Sequence, residues 1–117
     1  MSTIKYLAGN ASFSAATAAQ GIVHISGQVP ELEYTTIEDQ TKNVLSKIEL
    51  ILQQMNASKS TLLSATLYLK DLADFPVVNQ RWNEWLGDLP RPARATIKAE
   101  LVNPDWKVEI SAVALQE

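Results

Sequence analysis

The chain has 117 residues, of which 46% are hydrophobic and 20% charged, with no cysteine and a single histidine. This length and balance predict one soluble globular domain over residues 1–117, with a core that needs no disulfide. The lack of cysteine excludes thiolate nucleophiles and Cys-based zinc sites, and one histidine leaves no His-pair metal motif, so we expect no bound metal. A net charge of −3 disfavours nucleic-acid binding, which usually requires a clustered basic face.

The N-terminal segment MSTIKYLAGN lacks the positive region and the following apolar region of a secretory signal. No apolar run approaches the ~18 residues that are needed to cross a bilayer. We therefore expect a cytoplasmic protein without a membrane partner.

Residues 12–29 predict the first two strands. Ile22, Val23 and Ile25 suit a sheet, and Gly27 and Pro30 mark the end of the strand. The preceding Ala-rich stretch SFSAATAAQ is interpreted as the hairpin partner of this strand, although its Ala, Ser and Thr content could equally favour a helix.

A helix is predicted from Thr36 to Asn56. Apolar residues recur at three- and four-residue steps between Ile37 and Met55, as on one face of an amphipathic helix. Two capping pairs are offered at the start, Thr35 followed by Glu38 and Thr36 followed by Asp39, and Asn56 suits the end.

The stretch LLSATLYLKD then alternates apolar and polar residues, which predicts a strand with one side against the core. Asp74 can cap a second helix, Pro76 is tolerated in its first turn, and Gly87 and Pro90 end it. We interpret the apolar side chains of this helix as packing against the sheet; they are Phe75, Val78, Trp82, Trp85 and Leu86.

Two more alternating segments, 94–101 and 107–114, flank the Asn103-Pro104-Asp105 turn and predict a final hairpin. The resulting order is β-β-α-β-α-β-β, an α+β fold in which a mixed sheet carries both helices on one face.

In this arrangement Arg94 and Glu109 fall on the sheet face away from the helices. A solvated face would explain both charges, but the neighbouring side chains are of modest polarity and suggest a face covered by another subunit; they are Ser64, Thr66, Ser111, Val113 and Leu115. Strands paired around the turn would hold the two charges ~4 residues apart, about 13 Å. A site that uses both would therefore lie between subunits.

Four motifs in order, SGQVP (26–30), YLKDLADFPVVN (68–79), PAR (92–94) and KVEISAVA (107–114), resemble the Rid (YjgF) family of reactive-intermediate deaminases. The resemblance extends from about residue 13 to residue 115 and is to a side branch of the family. It implies a chorismate-mutase-like homotrimer with sites in the clefts between subunits. It also implies hydrolysis of 2-imino acids to 2-keto acids and ammonia.

The resemblance assigns functional positions to this chain. Arg94, the arginine directly after Pro-Ala, matches the family's substrate-carboxylate arginine, and Glu109 matches its water-orienting glutamate. Phe13 stands where the family usually has tyrosine, and Thr96 where it often has cysteine. The full set of predicted substrate-binding residues is Phe13, Ser26, Gly27, Gln28, Asn79, Arg94 and Thr96.

The chemistry suits such a sparse site. A guanidinium forms a bidentate, charge-assisted pair with a carboxylate, and a positioned carboxylate can act as a general acid or base. Because such imines hydrolyse unaided, the reaction requires no cofactor.

Two other function classes remain open. Phe13 lacks the phenol hydroxyl, so a non-catalytic trimer that binds small carboxylates or partner proteins is the main rival. Reported family roles in RNA cleavage or folding assistance form the third class, and the acidic balance disfavours an RNA role.

His24 falls on the same strand side as Ser26, where it could line the cleft or be an ordinary exposed histidine. A hydrolytic triad of Ser14, Ser26 and His24 is disfavoured, because no Gly-x-Ser-x-Gly elbow is present.

Overall fold

The computed structural model describes residues 3–117. The strands are β1 (Lys5–Leu7), β2 (Ala16–Ala19), β3 (Ile22–Gln28), β4 (Leu62–Leu69), β5 (Ala93–Lys98) and β6 (Val108–Leu115), and the helices are α1 (Ile37–Gln54) and α2 (Phe75–Leu86). The predicted α+β order is confirmed. β1 was not predicted, because three residues are too few to show an alternating pattern.

The Ala-rich segment is a strand, as interpreted, and not a helix. β2 pairs antiparallel with β3, and Ala19 lies opposite Ile22 across the turn. Gln20 and Gly21 form this two-residue turn with φ of 52° and 81°, the positive values that a type I′ hairpin requires.

Both helices form where they were predicted. The Thr36 hydroxyl oxygen accepts a hydrogen bond from the Asp39 backbone N–H (3.1 Å), and α1 ends next to Asn56, whose φ is 59°. The predicted capping by Asp74 is wrong, because its side chain makes no cap bond. Instead, the Asp71 carboxylate accepts from the Ala73 N–H (2.9 Å) and caps a short 3₁₀ turn that precedes α2.

The strand order in the sheet is β1-β2-β3-β6-β4-β5. The predicted hairpin between β5 and β6 is wrong: β5 pairs in parallel with β4, and β6 lies antiparallel between β3 and β4. The Asn103 turn does form, since the Asp105 N–H donates to Asn103 Oδ1 (2.9 Å). However, α2 is a crossover helix that delivers β5 parallel to β4, and the loop after β5 then carries the chain back to the middle of the sheet.

The parallel pairing also reverses the face that was predicted for Arg94. Arg94 pairs with Ala65, and Thr96 pairs with Leu67. Ala65 and Leu67 are buried beneath the helices, so Arg94 and Thr96 lie on the helix-covered side and not on the open face. Glu109 is opposite Tyr68 and does lie on the open face, as predicted.

A buried glutamine fixes the start of β6. The Gln40 side chain is 2% exposed; its Nε2 donates to the carbonyls of Tyr34 (3.0 Å) and Asp105 (2.9 Å). Its Oε1 accepts from the Lys107 N–H (2.8 Å). These bonds satisfy the amide and hold α1 against the strand that carries Glu109. Among residues 3–117, no helix is long and apolar enough to cross a membrane.

Candidate functional site

Glu109 and the Ser26-Gly27-Gln28 segment form one cluster, called here the glutamate half-site. Pairing between β3 and β6 shifts between Ile25 and Gln28, which marks a β-bulge. A Cβ atom at Gly27 would collide with the Glu109 carboxylate, so this side chain lies directly over the glycine. The bulge therefore makes the space that the carboxylate occupies.

The loop that carries Phe13 is attached to the glutamate half-site. The Ser26 hydroxyl donates to the Ser14 carbonyl (2.6 Å), and the Ser26 N–H donates to the Ala15 carbonyl (2.9 Å). The Phe13 ring is 55% exposed next to this junction along the chain. Because the Ser26 hydroxyl proton is used within the chain, this oxygen can offer a ligand only its acceptor capacity.

The Glu109 carboxylate is unpaired within the part of the chain that the structure describes. Burial raises its pKa above the ordinary value, because desolvation disfavours the charged form. Tyr68 is its cross-strand partner on the open face, and it was not among the predicted site residues. Finding Tyr68 requires the register of β4 against β6, which no local sequence pattern specifies.

Arg94 lies over two aromatic rings of α2, on the helix-covered side of the sheet. The name arginine half-site is used here for Arg94, these two rings and the two predicted residues that share their side of the sheet, namely Phe75, Trp82, Asn79 and Thr96. The Arg94 Cζ lies 5.7 Å from the centroid of the Phe75 ring and 5.6 Å from that of Trp82. Phe75, Asn79 and Trp82 follow at four- and three-residue steps, so they form one stripe of α2. The structure thus brings three predicted residues, Arg94, Asn79 and Thr96, to one side of the sheet.

The two neighbouring arginines differ in what they bind within the chain. Arg91 Nη1 donates to the carbonyls of Gly87 and Leu89, both at 2.8 Å, at the end of α2. Arg94 makes no hydrogen bond or ion pair among residues 3–117, and desolvation lowers its pKa. Arg94 is therefore a half-buried guanidinium whose hydrogen-bonding fork is unused.

The two half-sites lie apart within one chain. Glu109 is level with Tyr68 of β4 and Ile97 of β5, three residues along from Arg94. Two strand spacings and three residues give about 14 Å between the two Cα atoms, and the side chains leave opposite faces of the sheet. Arg94 and Glu109 therefore cannot contact one small ligand from the same chain.

The open face has a polar centre and an apolar surround. His24 is exposed there, in a depression of about 180 Å³ that Ser64, Thr66 and Ser111 help to line. It pairs with Val113, four residues along β6 from Glu109, so it is remote from the carboxylate. Several large apolar side chains on this face are exposed, namely Tyr6, Ile22, Ile97 and Leu115. No cluster of three metal-ligating side chains occurs among the described residues.

Comparisons with known proteins agree with this fold. The family model described as Endoribonuclease L-PSP matches residues 3–116. A RutC family protein of Haemophilus influenzae is 39% identical over 116 residues, which are 96% of this chain and 97% of the relative. The 3-aminoacrylate deaminase RutC of Acinetobacter baylyi is 34% identical over 110 residues, covering 89% and 86% of the two chains.

A solved structure of a related protein has the same fold. A YjgF-family protein of Neisseria meningitidis superposes with a TM-score of 0.94 at 35% identity and covers 98% of this chain and 96% of its own. An identity at this level over nearly all of both chains carries the family as well as the fold. The chain belongs to the Rid (YjgF/RutC) family.

Proposed function

We propose that this protein is a hydrolytic deaminase of reactive 2-imino acids, which it converts to 2-keto acids and ammonia. The observation that carries the proposal is the pair of unsatisfied, desolvated charges. Among the described residues, the guanidinium of Arg94 has no anionic partner and the carboxylate of Glu109 has no donor. A small acid with a hydrolysable C=N bond can use both groups, the guanidinium to bind its carboxylate and the carboxylate to activate water.

The complete site lies in the clefts of a homotrimer. The arginine half-site is at the β5 edge of the sheet, and the glutamate half-site is on the open face. A head-to-tail contact that brings one subunit's edge to the next subunit's open face would join the two, and such contacts close into rings. The exposed apolar residues of that face favour cover by a second copy.

Sedimentation equilibrium tests this assembly. We expect a mass of about three times the 12.9 kDa of the chain at micromolar concentration. A mass near one protomer would remove the shared site, and the proposed function with it.

Arg94 anchors the substrate carboxylate. Pro92, two residues before Arg94, stiffens the start of β5. The rings of Phe75 and Trp82 hold the guanidinium. A planar fork then meets a planar carboxylate in two parallel hydrogen bonds. Asn79 and Thr96 lie on the same side of the sheet and complete the binding surface for the remainder of a small acid.

Glu109 places and deprotonates the water. Water adds to the imine carbon, its proton passes through the carboxylate to the nitrogen, and the resulting carbinolamine loses ammonia to leave the 2-keto acid. A raised pKa suits this exchange, because a desolvated carboxylate is a stronger base than an ordinary one and returns the proton in the next step. The chain's own residues supply each step, so no cofactor is needed.

One relative supports the substrate class. The Acinetobacter baylyi protein is named a 3-aminoacrylate deaminase, and 3-aminoacrylate is an enamine that carries a carboxylate. The proposed substrates of this chain share the small size, the carboxylate and the enamine–imine chemistry. The anchoring role of Arg94 would be the same for both.

A coupled assay tests the activity. 2-Iminobutanoate and 2-iminopropanoate are generated in situ by an amino-acid oxidase, and their disappearance is measured with and without the protein. We expect faster loss of at least one imine at micromolar protein. If neither is lost faster, the function is instead that of a non-catalytic carboxylate-binding trimer.

That rival has one observation in its favour. Phe13 presents an exposed ring without a hydroxyl beside the glutamate half-site, where the resemblance leads us to expect a tyrosine. Both functions keep Arg94 as the anchor, so only turnover separates them. RNA cleavage, which the family description names, has weaker support because the chain carries a net charge of −3.

A further inference from the structure

The Arg94 guanidinium is held by aromatic rings rather than by an acid. Phe75 and Trp82 present their rings at 5.7 Å and 5.6 Å from the Arg94 Cζ, and both belong to one stripe of α2. Trp82 is only 3% exposed, so its position is fixed by the core. Within residues 3–117, no carboxylate or carbonyl competes for the fork.

We propose that Phe75 and Trp82 are positioning residues that hold the Arg94 guanidinium so that its N–H groups remain free for a ligand carboxylate. An aromatic face attracts a cation through its quadrupole but accepts no strong hydrogen bond, so it fixes the guanidinium plane and leaves the edge donors unused. An Asp or Glu in the same place would occupy those donors.

The rings have a second effect. They exclude water from one side of the guanidinium, which strengthens its interaction with an incoming carboxylate. They also reduce the rotamer entropy that a free arginine would lose on binding. The inference rests on the proposed anchoring role of Arg94, but it does not require turnover.

The first experiment observes Arg94 without any ligand. In ¹⁵N-labelled protein, the Arg94 Nε–Hε resonance is assigned by its absence in Arg94→Lys. We expect ring currents to displace it, Phe75→Leu to move it toward the free-arginine position, and Phe75→Tyr to keep it displaced. Trp85→Phe is the matched control, because Trp85 contacts Trp82 and Lys59 but is not over Arg94.

The second experiment measures binding of 2-oxobutanoate by calorimetry, together with imine kinetics. Phe75→Leu is expected to raise Kd and KM by about 3- to 10-fold with kcat changed less, and Phe75→Tyr to restore tight binding. A purely structural role would lower thermal stability and leave Kd unchanged. Trp82→Phe is a second, milder variant. It is conservative because Trp82 is buried and a larger change there could prevent folding.

The outcomes separate the two proposals. If no imine turnover is found but Phe75→Leu still weakens 2-oxobutanoate binding, the deaminase function fails and the positioning role stands. If turnover is normal and a folded Phe75→Leu binds like the unmodified protein, the positioning role is overturned. An undisplaced Arg94 resonance, or a protein that does not bind 2-oxobutanoate, overturns it as well.

Discussion

The two half-sites differ in how each keeps its charged group without a partner among the described residues. Arg94 lies on the edge strand β5, on the helix-covered side, with its guanidinium over Phe75 and Trp82. Glu109 lies on the central strand β6, on the open side, where a glycine in a β-bulge leaves room for its carboxylate. At Arg94, two aromatic rings desolvate the guanidinium. At Glu109, the missing side chain of Gly27 leaves space for the carboxylate.

This difference shows how one chain keeps two opposite charges available. At 4 Å separation, Arg94 and Glu109 would attract each other by several kcal/mol near a protein surface, about 4 kcal/mol at an effective dielectric of 20. A substrate would then have to break that pair before it could bind. Placement on opposite faces of the sheet prevents this pairing within one chain.

Removing the proton-accepting group tests the glutamate half-site alone. We expect Glu109→Gln to lower kcat for imine hydrolysis by roughly 10²–10⁴-fold, because the amide keeps the shape but cannot take a proton. Calorimetry with a 2-keto acid is expected to show carboxylate binding largely intact. Parallel losses of turnover and binding would contradict the separation of roles between the half-sites.

Changing the shape of the cation tests the arginine half-site. Arg94→Lys keeps the charge but loses the planar fork, and we expect kcat/KM to fall about 10–150-fold, as for the loss of roughly 1.5–3 kcal/mol. The measurement is kcat/KM on one imine, with the oligomeric mass checked for each variant.

Arg91 is the matched control for Arg94. Its guanidinium donates to the Gly87 and Leu89 carbonyls, so Arg91→Lys is expected to change kcat/KM by less than about twofold. If Arg91→Lys is damaging and Arg94→Lys is silent, the anchor has been assigned to the wrong arginine.

The space above the bulge can be filled directly. A Cβ in Gly27→Ala would collide with the Glu109 carboxylate, which must then move. We expect kcat to fall by about tenfold, up to about 100-fold for a displacement near 1 Å. Gly21→Ala, at a turn residue of positive φ remote from Glu109, is the control: it is expected to affect stability and not kcat. Normal turnover in Gly27→Ala would show that the carboxylate is free to sit elsewhere.

Local sequence patterns predicted most of the elements but not their neighbours. The apolar spacing of α1 is encoded by nearby residues and was predicted correctly, and the cap at Thr36 is one of the two capping pairs that were predicted. The pairing of β5 with β4 depends on a crossover through α2, whereas the Asn103 turn favoured a hairpin. Because turn geometry is local and strand pairing is not, the turn was right and the pairing was wrong.

The same limit applies to the candidate site. Motif resemblance selected Arg94 and Glu109, and their separation within one chain was expected. The expected cause was their spacing along a hairpin of β5 and β6, whereas in the structure the two residues lie on opposite faces of the sheet. The rings at Phe75 and Trp82 were interpreted only as packing. Their spacing with Asn79 was visible in the sequence, yet its meaning depends on which face of β5 carries Arg94.

The pH dependence of stability gives the smallest expected effect and sharpens the comparison further. Burial raises the pKa of Glu109 above the ordinary value of 4.5, so the folded chain holds this proton at pH values where the unfolded chain has released it. The contribution of Glu109 to the free energy of unfolding is therefore fully present below pH 4.5, and it is lost as the pH rises through the pKa of the folded state. Glu109→Gln has no such loss, so its stability relative to the unmodified protein should increase across that window and then level off. Urea unfolding of both proteins at fixed concentration and ionic strength measures this difference. A difference that shrinks with rising pH would mean that the assembled protein supplies a donor to the carboxylate, and that Glu109 is already paired before substrate arrives.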